Sequence, residues 1–227
     1  SEGLVAFLEE KIDNFQYESK HIDNSNWEEE WKKSYTAFPI GHKIWIKPSW
    51  EKDYPSDRIL IEIEPKTAFG SGTHETTALC MAYVEEDDLS GLDVLDMGCG
   101  SGILSILASK LGAKQIDAVD IDPFAIENAK DNARINGVSN MSVFYSDLFS
   151  DLDKDYDLIF ANILAEILVD MLDSVDKHLK VGGRLVLSGI IEGKESLVKD
   201  KIQAINYEII DEIKDGEWVL ISAKRKE

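Results

Sequence analysis

The segment Asp96-Met97-Gly98-Cys99-Gly100-Ser101-Gly102 carries the strongest chemical signal in the chain. Glycine lets a backbone turn sharply and lets a ligand come close to it, and the amides at the start of a helix favour negatively charged groups. The glycines are spaced G-x-G-x-G, and Ile103 stands where the dinucleotide fingerprint wants its third glycine. This favours S-adenosyl-L-methionine, which has no pyrophosphate, over NAD. The methionine end of that cofactor offers both a carboxylate and an ammonium, so Asp96 is a candidate acceptor beside Gly98 and Gly100. A plain tight turn would account for the glycines alone, but further groups follow at successive strand ends. Asp120 closes the next expected strand, where a carboxylate can accept both hydroxyls of a ribose. Asp147, in Ser146-Asp147-Leu148 after the third strand, can take the adenine amino group or be an ordinary surface acid.

Asn162 is the candidate catalytic residue. It sits in Ala161-Asn162-Ile163-Leu164 at the end of the fourth expected strand, and in an open α/β sheet ligands bind outside the carboxyl ends of the strands. Its amide oxygen can accept from an attacking amine and orient it; the same side chain can also cap the helix expected from Ile163. The segment Pro65 to Thr77 holds two glycines, four threonines and His74 ahead of an expected helix. It forms a loop able to fold over a ligand. The alternatives are a linker for the glycines, a cap for Thr76 and a structural role for His74.

The elements that must position these groups follow from periodicity. From Gly91 onward, strands alternate with helices, which means βαβ units and a parallel sheet. Strands are expected at 93–97, 116–120, 141–146, 158–161 and 184–188, and helices at 101–111, after Asp122, at 163–179 and at 194–204. Asp122 reads as a helix cap with Pro123 in the first turn, Gly112 and Gly137 read as helix stops, and Gly182-Gly183 as a turn. Two final strands, 207–213 and 218–223, are joined by Asp215-Gly216, a hairpin signal. The fold class is α/β: a Rossmann-like, mostly parallel seven-stranded sheet with an antiparallel C-terminal hairpin, the class I methyltransferase arrangement. A dehydrogenase would continue into a second parallel half. Before this lies an aromatic-rich extension, 26–64, with a helix placing Trp27 and Trp31 one turn apart and strands at 43–47 and 59–63.

Composition limits the function classes. The 227 residues suffice for one sizeable α/β domain with a short addition. The net charge of −20 opposes a nucleic-acid substrate, which needs a basic footprint, and suits a basic partner. No apolar run is long enough to span a bilayer and no signal peptide is visible. With two cysteines, Cys80 and Cys99, there is no disulfide framework, so a cytoplasmic protein is expected, with no metal site, no direct nucleic-acid binding and no membrane association. Cys99 is expected to pack rather than react.

Taken together, Phe69-Gly-Ser-Gly-Thr-His-Glu-Thr-Thr77, Leu95-Asp-Met-Gly-Cys-Gly-Ser-Gly-Ile103, Val119-Asp-Ile-Asp-Pro123, Ala161-Asn-Ile-Leu-Ala165, Gly182-Gly-Arg-Leu-Val-Leu-Ser-Gly189 and Gly216-Glu-Trp-Val219 resemble the ribosomal protein L-eleven methyltransferase family. The segments Trp27 to Trp31 and Trp45 to Trp50 match too. The resemblance implies methylation of lysine side-chain and N-terminal amines of a basic ribosomal protein. It implies cofactor contacts at Thr77, Gly98, Asp120 and Asn162, and it brings in Phe69 and Thr76 from the Phe69–Thr77 segment and Ile121 from the Val119–Pro123 segment. It also implies that residues 1–25 are the remnant of an N-terminal substrate-recognition domain and its linker, with the methyltransferase domain at 26–227. The other readings are an amine methyltransferase of the same fold acting on another protein or a small molecule, an NAD-dependent oxidoreductase, and a non-catalytic cofactor-binding module.

Overall fold

The structure, a computed structural model, describes residues 36–64 and 74–226. The expected domain boundary at 25/26, the helix carrying Trp27 and Trp31, and positions 65–73, Phe69 among them, lie outside the described residues.

The described part of the aromatic-rich extension is a three-stranded sheet. It holds β1 (Phe38–Ile40), β2 (Ile44–Lys47) and β3 (Ile59–Glu62), in that order, with β1 antiparallel and β3 parallel to β2. Alternation puts Ile44, Ile46 and Ile61, all fully buried, on one face. The β1–β2 turn is anchored by Glu85, which is 5% exposed and accepts from the amides of His42 and Lys43. Lys47, also buried, pairs with Glu62 and donates to the Glu51 carbonyl at 2.8 Å.

Among the described residues, five helices flank the main sheet: α1 (Glu75–Val84), α2 (Ile103–Lys110), α3 (Pro123–Ile135), α4 (Ala165–Leu172) and α5 (Glu195–Ala204). The sheet has seven strands: β4 (Asp93–Met97), β5 (Gln115–Asp120), β6 (Met141–Tyr145), β7 (Tyr156–Asn162), β8 (Leu179–Ile191), β9 (Tyr207–Asp215) and β10 (Trp218–Arg225). Their order is β6-β5-β4-β7-β8-β10-β9, parallel except that β10 is antiparallel to both β8 and β9. The expected sheet and terminal hairpin are therefore present. Gly216, at φ 56°, takes the first of the two loop positions between Asp215 and Trp218, which suits the twist of a tight hairpin. The central strands bury both faces. Leu95, Ile159, Leu185 and Leu187 join the apolar sides of α4 and α5. Val94, Leu158, Phe160 and Val186 join α1 and α2.

Three local expectations need correction. The helix expected at 163–179 begins at Ala165 and ends at Leu172; Val175–Lys177 form a 3-10 turn, and Leu179 already starts β8. The apolar spacing is genuine, since Leu168, Met171, Leu172 and Val175 are all buried. The helix nevertheless stops at Asp173-Ser174, two residues that favour local backbone hydrogen bonds over a continuing helix. The strand expected at 184–188 is much longer. The Gly182-Gly183 turn lies within it as a bulge, where the pairing of β7 with β8 slips between Tyr156 and Leu158. Finally, Asn162 does not cap a helix. β7 runs through it, pairing it with Ser188, and the cap position of α4 belongs to Leu164 with no side-chain bond.

Candidate active site

From β4 the chain proceeds through β5 and β6 on one side, while β7 lies on the other. The crevice outside the carboxyl ends of β4 and β7 is thus the switch point where open α/β sheets bind ligands. The glycine loop and Asn162 both lie there.

The loop is held from within. Gly98, Gly100 and Gly102 have φ of 71°, 53° and 77°, which side chains disfavour. A Cβ on Gly98 would lie 2.5 Å from Cγ2 of Ile163, next to Asn162. The amides of Gly98 and Cys99 donate to the Val119 carbonyl at 2.8 and 3.0 Å, Gly102 donates to the Cys99 carbonyl, and Gly100 donates to Oδ2 of Asp120 at 2.9 Å. These four amides therefore fix the loop itself rather than offering free donors to an anion, and the glycines provide close approach. Cys99 is buried and burial pushes its thiol pKa well up, as expected of a packing residue.

Asp120 ends β5 half-buried, with Oδ2 on the Gly100 amide and Oδ1 on the Asp122 amide at 2.9 Å. A carboxylate has about four lone-pair sites, so acceptor capacity for two hydroxyls remains. The expected cap is present: Asp122 accepts from the Phe124 amide at 2.9 Å, with Pro123 in the first turn of α3. Ile121 beside them is 62% exposed, an apolar side chain open to a ligand. Asp147 is exposed just past β6, before Leu148 at φ 50°.

Asp96 is 1% exposed, and its Oδ2 accepts from both the hydroxyl and the amide of Ser105, at 2.6 and 3.1 Å. Burial lifts its pKa to about 6 against the pull of the Ser105 bonds, with the negative Asp120 adding to the rise. The sequence marked Asp96 but not Ser105, which ties it to α2.

Asn162 is the most telling side chain. Its Nδ2 donates to Oγ1 of Thr77 at 3.2 Å, while its Oδ1 is buried with no hydrogen-bond partner. An unpaired buried acceptor costs free energy that proteins normally avoid. Thr76 and Thr77 are both buried in the first turn of α1, and Ser188 donates its hydroxyl to the Thr76 carbonyl at 3.3 Å. Thr76 is not the cap; His74 is. Its Nδ1 accepts from the Thr76 amide at 3.3 Å, and its ring meets Trp218 edge-on at 5.1 Å. His74 thus has a structural part as the cap of α1, and Trp218, from the Gly216–Val219 segment, joins this end of the sheet. Glycine loop, Asp120, Asn162 and Thr77 come together here, whereas Phe69 lies outside the described residues. Among the described residues no His, Cys, Asp and Glu group is arranged to hold a metal ion, and no helix is long and apolar enough to cross a membrane.

A family model described as ribosomal protein L11 methyltransferase (PrmA) matches residues 2–226. A ribosomal protein L11 methyltransferase of Thermoanaerobacter pseudethanolicus is 42% identical over 217 residues, covering 95% of this chain and 70% of that protein. One from Clostridium perfringens is 37% identical over 236 residues, covering 99% and 75%. The crystal structure of a ribosomal protein L11 methylase from Lactobacillus delbrueckii subsp. bulgaricus is 35% identical with a TM-score of 0.80, covering 85% of this chain and all of that one. A methyltransferase from Pyrococcus furiosus, 18% identical with a TM-score of 0.63, shares the fold. With glycine loop, Asp120 and Asn162 all inside a match that spans every described element, this chain belongs to the ribosomal protein L11 methyltransferase family and is an S-adenosylmethionine-dependent methyltransferase.

Proposed function

We propose that this enzyme methylates lysine side-chain amines and the N-terminal amine of ribosomal protein L11, and that Asn162 orients the acceptor. The observation that carries the reading is the buried, unpartnered Oδ1 of Asn162 at the switch point. An amine N–H directed at this oxygen satisfies both groups and turns the nitrogen lone pair elsewhere. The Thr77 hydroxyl holds the other end of the amide, so the oxygen is presented in one orientation. S-adenosylmethionine, when bound, supplies a sulfonium-activated methyl group. Asp120 takes the ribose hydroxyls, Ile121 covers the adenine and Asp147 reaches its amino group. Gly98 and Gly100 allow the close approach, and Asp96 places negative charge behind the loop to oppose the methionine ammonium. Phe69, Thr76 and Thr77 complete the cofactor set.

Positioning is the main contribution of these residues, because fixing two reactants in line removes most of the entropic barrier. The amine must be neutral to attack. Desolvation at the closed end of the sheet lowers a lysine pKa, and the proton leaves to water before transfer. The relatives are named for ribosomal protein L11, and the net charge of −20 draws a basic protein toward the enzyme in the cytoplasm where ribosomes assemble. The test is transfer of labelled methyl from S-adenosylmethionine to purified, unmodified L11, with the product mapped by mass spectrometry. Label on lysine and N-terminal nitrogens is the expected result; label on carboxylates, on RNA or on no part of L11 overturns the assignment.

A further inference from the structure

Asn132 on α3 and Asn136, which caps its C-terminus, grip neighbouring segments in different ways. Asn132 has no exposed surface and both ends of its amide are used. Its Nδ2 donates to the Ser101 carbonyl inside the glycine loop at 2.9 Å, and its Oδ1 accepts from the Glu64 amide, just past β3, at 3.0 Å. Ala129, one turn earlier on the same face, closes the contact: a Cβ on Gly102 would sit 3.0 Å from Cβ of Ala129. Asn136, one turn later, holds β3 and not the loop: it accepts from the Glu62 amide at 2.9 Å and donates to the Glu62 carbonyl at 2.6 Å and to the backbone carbonyl of Asn132 at 2.8 Å. Losing the Asn132 amide removes a bond to the buried Ser101 carbonyl and one to the part-buried Glu64 N–H together.

We propose that Asn132 is a positioning residue for cofactor binding. It fixes the Ser101 carbonyl, and with it the path of the loop from Gly98 to Gly102, and couples that loop to the end of β3. This rests on S-adenosylmethionine occupying the glycine loop. Asn132→Asp is the sharpest probe, because it keeps an acceptor for the Glu64 amide but sets an oxygen against the Ser101 carbonyl oxygen. Asn136→Ala is the matched control, since it loosens β3 and leaves the loop bond intact.

Calorimetric titration of S-adenosylhomocysteine into wild type, N132D and N136A, with unfolding midpoints measured alongside, tests the proposal. N132D is expected to weaken binding by about tenfold or more, as loss of one buried bond implies, while N136A stays within about twofold of wild type. Amide hydrogen exchange on the wild type gives an answer even if N132D fails to fold: S-adenosylhomocysteine should slow exchange at Glu64 more than at Glu62. Wild-type affinity in N132D, equal weakening in N132D and N136A, or equal protection at Glu62 and Glu64 each overturns the role of Asn132. A wild type that does not bind S-adenosylhomocysteine overturns the cofactor assignment as well.

Discussion

The two ends of the main sheet are built from similar residues and do opposite things. At the amino end, a groove of about 320 Å³ is lined by Asp87, Asp88, Asp157 and Arg184 among others. Cavity and charge alone would mark it as a site. Yet its charges are largely matched: Arg184 pairs with Asp87, and Lys180 reaches Asp157 at 2.8 Å and Asp93 at 3.3 Å. Asp157 also accepts from the Asp93 amide. Burial acts to raise its pKa, but Lys180 and that amide prevail and hold it below the usual carboxylate value. At the carboxyl end, Asn162 keeps an acceptor buried without a partner, Asp120 retains lone pairs, and Asp96 is held with a raised pKa. Hydrogen-bonding capacity left over after folding distinguishes the proposed cofactor end of the sheet from the other.

The largest expected effect tests this contrast at Asn162. Asn162→Ala removes the acceptor and should lower the rate of methyl transfer roughly 10²-fold, the scale of a misplaced reactant. Affinity for S-adenosylhomocysteine should change only a few-fold. Single-turnover transfer measured beside calorimetry checks it, and an unchanged rate would remove Asn162 from the chemistry. Asp120→Ala should act on binding instead. Losing charge-assisted bonds of about 1.5–3 kcal/mol weakens S-adenosylhomocysteine about 10- to 100-fold in the same titration.

Asp96 gives a smaller, pH-dependent effect. Its pKa of about 6 means that it holds a proton below that pH and no longer opposes the ammonium of the cofactor. Affinity should fall below pH 6, by up to about tenfold per unit, and Asp96→Asn should flatten the profile. The stability linkage has the matching sign. An acid whose pKa is raised by folding favours the folded state at low pH, and this contribution is lost as pH rises from about 4 to about 6. Unfolding midpoints of wild type and the variant across that window measure it. The smallest effect belongs to the amino end: Lys180→Ala should cost about 0.5–1 kcal/mol of stability, because the pair is partly exposed, with transfer unaltered.

How far these features were legible in the sequence depends on range. The glycine loop, the Asp122–Pro123 cap and the Asp215–Gly216 hairpin are local, and each is set by residues within a few positions of one another. Asp120 was legible because it ends the next strand, after the loop and the helix that the loop opens. The unpartnered oxygen of Asn162 was not. It depends on Thr77 fixing the other end of the amide, 85 positions away, so local context suggested a helix cap instead. Glu85, which holds the turn at residues 41–43, and Asn132, which holds Ser101, are likewise visible only once the helices are packed. The helix read as 163–179 shows the converse: its apolar period persists through Val175 although Asp173 and Ser174 end the helix.

The most direct test is the structure of this enzyme bound to S-adenosylhomocysteine. The ligand is expected across the carboxyl ends of β4 and β5, its ribose hydroxyls on the Asp120 carboxylate and its sulfur facing the Oδ1 of Asn162. A ligand seated elsewhere, or one whose sulfur is remote from Asn162, would contradict this placement.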